Sequence, residues 1–461
     1  MRVLLVNPGA KSVYTRLGLV FPPLGLAYVA AVARMAGHEV KILDLQVERP
    51  DLSRFEWNRY DVVGISTDTC RYPEALKVAK IAKDAGDTVV VMGGYHATFM
   101  DQDVLDTGVV DYVIRGEGEL PFVELLECLC RKGNPSQVRG VSFGRGESFR
   151  RTDPAPLVRD IDRLPYPARD LLQMSRYRSR QLEGRNLTTL VSSRGCPHAC
   201  SFCASSVFSG RNWRPRSAKS VVDEVEQIVR QYGFGAVAFM DDNFTLNPGR
   251  VIDICKVLIE RGLDLRWWCF SRADTIVKNR EMVDWMAKAG ARMVFLGLES
   301  ASDEILSSYG KGITSNTGEK AVDILKSYGI RVWGSFIVGA LDDTLKTIKR
   351  TVEYAKKVAP DIAEFSILTP FPGTLLFEQA VKNGLIPRFD WHRFDGAHAV
   401  MNTHFLKASQ IAKAAVLAYA SFYLRPSRLG QIKEALRIYL KGVFGGGYVA
   451  FQNGRRCEGR A

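Results

Sequence analysis

The 461-residue chain is poor in cysteine, with nine, and in histidine, with six, and it has no long apolar run free of charges or helix breakers. Nine thiols in so long a chain are too sparse for a disulfide scaffold, and without an export signal they are expected reduced, in a cytoplasmic protein. The longest uncharged stretch, Leu17 to Ala33, is interrupted by Pro22-Pro23 and falls short of the ~20 residues that a membrane span needs. The N-terminus has one arginine and then a strand-like VLLVN run, which is not a signal-peptide pattern. There is no internal repeat and no low-complexity tract, so solenoids and largely disordered chains are excluded.

Excess charge is also missing from most of the chain. Of the net +13, residues 151–200 carry +4 and residues 401–461 carry +8, while the rest is close to neutral. The surplus describes a connector and a tail, and the body between them carries little.

What is present is alternation. In residues 1–135, RVLLVN (2–7), EVKILD (39–44), DVVGIST (61–67), TVVVMGG (88–94) and DYVIRGEGE (111–119) read as strands, with helical spacing between them. This predicts an α/β domain with a doubly wound, Rossmann-like (flavodoxin-like) parallel sheet, whose ligand loops follow the strand ends. Residues 136–186 are arginine-rich, carry four prolines and lack sustained periodicity, so they read as a linker with a small hairpin near Val141–Arg150. From 187 to 380 the alternation resumes with six strands, which predicts a (β/α)6-type partial TIM barrel. Residues 381–461 read as a small, basic, helical C-terminal region. Ile411, Val416, Tyr419, Phe422 and Tyr423 would share one side of a first helix. A second, Leu429–Lys441, would carry the basic stripe Lys433, Arg437 and Lys441.

The cysteines cluster once. Cys196, Cys200 and Cys203 form CPHACSFC directly after the first barrel strand, on a loop where three sulfurs can turn inward together. Thiolates suit iron–sulfur clusters or zinc, and structural zinc normally takes four protein ligands. His198 could be a fourth, but lies inside the loop. Three ligands fit better a 4Fe-4S cluster with one iron left open; zinc and unligated thiols are the alternatives. Cys70, Cys128, Cys130, Cys255 and Cys269 sit in apolar runs and read as core fillers.

CPHACSFC matches the CxxxCxxC signature of radical S-adenosylmethionine (SAM) enzymes, and its context resembles the subgroup with an N-terminal cobalamin-binding (B12-binding) domain. PPLGLAYVAA (22–31), VVVMGGYHAT (89–98), RGEGE (115–119), FMDDNFTLNP (239–248), GLES (297–300) and TPFPGT (369–374) carry that resemblance over about residues 1–375. Tetrapyrrole-ring-forming, methylating and lipid-modifying enzymes share the layout. The resemblance implies that Cys196, Cys200 and Cys203 hold three irons of the 4Fe-4S cluster and that SAM chelates the fourth. Reductive cleavage of SAM would then release a 5′-deoxyadenosyl radical. Phe202 would abut the adenine, Asp241 and Asp242 would accept the SAM ammonium, and Glu299 would take the ribose hydroxyls. Arg272 would pair with the carboxylate, or form a structural ion pair.

In the first domain the resemblance implies cobalamin contacts at Leu24, Ser66, Thr67, Gly93, Gly94, His96, Gly116, Glu117 and Gly118. The Asp-x-His-x-x-Gly motif that places a histidine on cobalt elsewhere is absent, so cobalamin would bind base-off without it; a cofactor-free flavodoxin-like domain is the alternative. A second departure follows Gly339, where the chain reads Ala340-Leu341-Asp342-Asp343-Thr344; Asp342 or Asp343 is expected to cap a helix there.

The expected activity is C-methylation of an unactivated carbon in a small-molecule or lipid substrate, with cyclisation of a tetrapyrrole side chain or lipid as second reading. A cobalamin or redox sensor is a third, of another class. A ferredoxin- or flavodoxin-type reductant is implied. The basic C-terminal helices would dock on the body or meet anionic lipid at the membrane periphery, and nucleic acid is not expected.

Overall fold

The computed structural model describes residues 1–9, 20–177 and 179–426. The first sheet contains β1 (Arg2–Asn7), β2 (Glu39–Asp44), β3 (Val62–Ser66), β4 (Val89–Gly93), β5 (Tyr112–Ile114), β6 (Val141–Phe143) and β7 (Arg150–Arg151), in the order β2-β1-β3-β4-β5-β6-β7. β1 to β5 are parallel. β1 shows why its apolar run is unbroken: Val3 and Leu5 belong to the core under helices Leu24–Met35 and Glu119–Cys130. Leu4 and Val6 belong to the core under helix Tyr72–Asp84 on the other face. A strand covered on both faces has no position left for a polar side chain. The doubly wound expectation is met, and the order reverses beside β1, where such sheets open a crevice at the carboxyl ends of β1 and β3.

The hairpin expected near Val141–Arg150 forms, and it extends the first sheet: β6 runs antiparallel to β5, and β7 to β6. This part of the 136–186 connector is therefore sheet. At three and two residues these strands are too short to show a period of their own, and what sequence did not show is that β6 pairs with the distant β5.

The second sheet joins β8 (Ser179–Gln181), β9 (Arg185–Leu190), β12 (Ala236–Phe239), β13 (Arg266–Ser271), β14 (Ala291–Glu299), β15 (Arg331–Val338) and β16 (Ile362–Ile367) in the order β16-β15-β14-β13-β12-β9-β8. Six strands are parallel and β8 is an antiparallel edge, so the partial barrel is as expected. A separate two-stranded ladder, β10 (Ser193–Arg194) with β11 (Arg214–Pro215), closes the base of the cysteine loop.

The helix Ala408–Tyr423 packs on the β16 side. Its buried stripe is Ile411, Ala414, Ala415, Ala418 and Phe422, whereas Val416 is 68% exposed. Val416 thus leaves the face expected for it, because the stripe that meets the barrel runs from Ile411 through Ala414, Ala415 and Ala418 to Phe422. The expected helix Leu429–Lys441 lies outside the described residues. After Gly339 the helix Leu345–Val358 is capped by Thr344, not by either aspartate. Asp343 instead accepts from the backbone N–H groups of Gly339 and Ala340, both at 2.9 Å, and pins the turn. Among the described residues no helix is long and apolar enough to cross a membrane.

Candidate active site

The carboxyl ends of β1, β3, β4 and β5 face the start of the cysteine loop and the end of β12 across a cavity of about 400 Å3. Its first-domain wall is glycine-rich for a steric reason. Gly94 has φ +98°, and a Cβ there would run into the carbonyl of Thr67. The loops after β3 and β4 are thereby interlocked, with the Thr67 N–H donating to the Gly93 carbonyl at 2.9 Å. Leu24, Ser66, Thr67, Gly93 and Gly94 all line the cavity, as do Gly116, Glu117 and Gly118.

His96 does not. Its ring is buried against Tyr72, with centroids 4.0 Å apart, and meets the edge of Trp391 at 4.9 Å. Burial pushes it down to about 3 from 6.5, so it is a neutral packing group. Proximity to a glycine loop in sequence says nothing about which way a side chain turns, and this contact expectation is corrected. Glu117 is on the wall, but its carboxylate is engaged by Arg214 at 2.9 and 2.7 Å. Burial opposes its charge; Arg214 and Arg194 overcome that and hold the carboxyl below its ordinary value.

On the barrel side, Gly195 opens the cysteine loop at φ +85°, where a Cβ would collide with the Asn212 carbonyl. Cys196, Cys200 and Cys203 are free, half-buried thiols. Burial pushes the Cys196 and Cys200 thiols up, with the neighbouring cysteines adding to it, while Lys311 acts in the opposite direction on Cys200. Phe202 stands edge-on to Tyr309 at 5.0 Å, and the Ser201 N–H donates to the Tyr309 carbonyl at 3.0 Å. Among the described residues no three His, Cys, Asp or Glu side chains converge on a position for one metal ion. A cuboidal cluster takes one thiolate per iron, and three free sulfurs on one loop, with Lys311 and Arg272 both favouring the Cys200 thiolate, suit it. Cys255 and Cys269 are buried as expected, Cys70 and Cys128 are half-buried, and Cys130 is exposed and fills no core.

The strand-end acids divide. Asp242 lines the cavity, and burial raises its pKa. Asp241 is 1% exposed and accepts from the Ser192 N–H and Oγ, each at 2.7 Å, and from the Ser193 Oγ at 2.5 Å. Its oxygens tie β12 to the end of β9, which is a framework role. Glu299 ends β14 at φ +57°, beyond a register shift against β15, the strained backbone that functional strand ends tend to carry. Its partner is Lys311, itself 8% exposed. The Arg272 Nε donates to Asp274 at 3.0 Å and its Nη2 to the Lys311 carbonyl at 2.5 Å, the structural alternative.

Lys311 went unnoticed in sequence. The signal for it was its place between Gly310 and Gly312, whose φ angles of +66° and +65° form a tight turn against the cysteine loop. Arg194 and Tyr95, which line the cavity, were missed as well.

Residues 10–126 match the B12-binding domain and residues 190–355 the radical SAM superfamily. An uncharacterized methyltransferase of Pyrococcus horikoshii is 39% identical over 438 residues, covering 93% of this chain and 94% of that one. The chain belongs to the cobalamin-binding radical SAM enzymes. A hopanoid C-3 methylase of Methylococcus capsulatus is 31% identical over 87% of this chain and 76% of its own. An anaerobic magnesium-protoporphyrin IX monomethyl ester cyclase of Cereibacter sphaeroides is 28% identical over 92% and 71%. Among solved structures, the radical SAM methyltransferase TsrM of Kitasatospora setae shares the fold, with a TM-score of 0.70 at 22% identity over 83% of this chain and 75% of that one. As a member of the family the chain is an enzyme whose cofactors are a 4Fe-4S cluster, SAM and cobalamin.

Proposed function

We propose that this enzyme transfers a methyl group to an unactivated carbon of a small-molecule or lipid substrate. One observation carries the reading: the first domain's Ser66, Thr67 and Gly94 and the barrel's Gly195, Ser205 and Asp242 share one cavity. The wall that would seat cobalamin thus opens onto the barrel at Asp242, the acid that would take SAM, and at the first residues of the cysteine loop. When bound, the cofactors supply an electron, a hydrogen-abstracting 5′-deoxyadenosyl radical and a transferable methyl group.

The chain's own part is seating and orientation. Cys196, Cys200 and Cys203 would hold the cluster, and Phe202 would pack on the adenine side. Asp242 and Glu299 are the acids assigned to SAM. Asp241 keeps Ser192 and Ser193 in place at the end of the first barrel strand, and Arg272 holds the turn that presents Lys311. Cobalamin would lie on Leu24, Ser66, Thr67, Gly93, Gly94, Gly116 and Gly118, without a histidine on the metal. His96 supports this wall from behind.

Anaerobic turnover with SAM and a chemical reductant should release 5′-deoxyadenosine and S-adenosylhomocysteine in equal amounts once substrate is present. Deoxyadenosine without S-adenosylhomocysteine would favour the second reading, cyclisation, which the relationship to the cyclase supports. A sensor would release neither. A flavodoxin- or ferredoxin-type protein is the proposed electron donor. The tail's net +8 over residues 401–461 supports contact with anionic lipid, which sedimentation with phosphatidylglycerol vesicles would test.

A further inference from the structure

The loop that carries all three cysteines opens at Arg194 and closes at Arg214, which stand opposite each other in the β10–β11 ladder. Both guanidiniums leave the barrel and grip the first domain. Arg194 donates to Glu119 at 2.6 Å and lies 3.4 Å from Glu117, and Arg214 engages both oxygens of Glu117. Arg194 also lies over the Tyr28 ring, 5.0 Å from its centroid. The side chains of Arg194, Arg214, Glu117 and Glu119 are 15%, 8%, 10% and 5% exposed. Buried charges of this kind are costly to desolvate, and a bidentate pair fixes direction as well as distance. Neither closing the β10–β11 ladder nor holding iron requires them. Glu117, Glu119, Arg194 and Tyr28 are also on the wall of the cavity, so an occupant there touches the clamp itself.

We propose that Glu117 and Glu119 are positioning residues: through Arg194 and Arg214 they set the base of the cysteine loop from the first domain. Filling the cavity with cobalamin therefore stiffens the loop that seats the cluster. The ligand in this statement rests on the function proposed above.

The test is hydrogen exchange of residues 195–213 in the full, anaerobically reconstituted chain, with and without hydroxocobalamin, for the native protein, Glu117→Gln and Glu119→Gln. Asp101→Asn is the control. Asp101 is 1% exposed and accepts from Ser142 at 2.6 Å and Arg151 at 2.9 Å, so it is an equally buried charge of the same domain off the cavity. Cobalamin should slow exchange in the native loop by about fivefold or more, the scale of a local opening equilibrium. Both glutamine variants should lose that protection, and Asp101→Asn should keep it. The variants should also release more deoxyadenosine per S-adenosylhomocysteine than the native enzyme, a split that general destabilisation does not produce.

Cobalamin retained by absorbance with no change in native exchange would overturn the proposal, as would glutamine variants that behave like Asp101→Asn. A native chain that retains no cobalamin would instead overturn the proposed function. The clamp would then stand or fall on the cobalamin-free arm, where Glu117→Gln and Glu119→Gln must loosen residues 195–213 more than Asp101→Asn does.

Discussion

Cys196 and Cys255 are the same side chain in opposite surroundings, one half-buried on the cysteine loop and one fully buried on helix Pro248–Glu260. Cys196→Ala should lower bound iron from about four per chain and abolish deoxyadenosine formation. Cys255→Ala should keep both and cost about 1 kcal/mol of stability, as a small core truncation does. Iron analysis and a urea titration read the two. His96 gives a prediction with a sign. Unfolded, it takes up a proton as the pH falls through 6.5; folded, burial delays this to about pH 3. Its contribution is whole above pH 6.5 and is lost as the pH falls, by up to about 1.4 kcal/mol per unit. Between pH 7 and 5.5 the native protein should lose about 1 kcal/mol more stability than His96→Phe, which can fill the same aromatic site but cannot charge. The substitution should leave the cobalamin spectrum unchanged, because the ring faces Tyr72 and Trp391. The residue scale is where the sequence was least legible. A motif names Cys196, Cys200 and Cys203 because spacing alone defines it. Burial and direction, which separate Asp242 from Asp241 and remove His96 from the cavity, arise only after folding.

Among the elements, the strands of both sheets were legible wherever burial on two faces forces a continuous apolar run, as in β1 and β4. Short strands were less so: the β6–β7 hairpin was expected as a unit, whereas β8, three residues long, has too few for a period to declare itself. The partial barrel also leaves β16 as an edge, with backbone groups that need partners. Helix Ala408–Tyr423 supplies them with two hydroxyls. The Phe365 N–H donates to the Tyr419 hydroxyl at 3.1 Å, and the Ala363 N–H to the Tyr423 hydroxyl at 3.0 Å. The Tyr423 hydroxyl in turn donates to the Ala363 carbonyl at 3.0 Å. In sequence these tyrosines looked like further apolar residues of a docking helix; their hydroxyls finish a sheet. Tyr419→Phe and Tyr423→Phe should each cost about 1 kcal/mol, since each leaves a strand N–H without its acceptor. The larger effect should fall on Tyr423, which makes two bonds. Faster amide exchange at Phe365 and Ala363, with unchanged exchange in β12, would locate the loss at the edge.

At the scale of the molecule, three consecutive residues of the connector hold the two domains together. The Ala168 N–H donates to the carbonyl of Ala27 in the first domain, at 2.9 Å, and Asp170 pairs with Arg34 there at 2.5 Å. Arg169 points the other way. It donates to Glu224 at 2.5 Å and to the Thr189 carbonyl at 2.8 Å, both in the barrel. Glu224 is shared with Arg216, and the three side chains are 1%, 0% and 3% exposed. An arginine-rich, proline-containing stretch reads as a loose linker because its partners lie far away in the chain; burial makes it a joint. The exposed Arg34–Asp170 pair should contribute less than about 1 kcal/mol. The buried triad differs, because Glu224→Gln leaves Arg169 without a counter-charge and Arg216 with only Asp162, at 4.0 Å, in a place water does not reach, at a cost of about 3–5 kcal/mol. Arg169→Met should cost less, since Glu224 keeps Arg216. The order of these effects separates a charge-balanced joint from simple packing, which would make the loss of the large arginine worse. Calorimetry should show one cooperative transition for the native chain. For Glu224→Gln it should show two, as each domain then unfolds without the other. A single lowered transition would mean that the cavity-side contacts, Glu117 and Glu119 with Arg214 and Arg194, suffice to couple the domains.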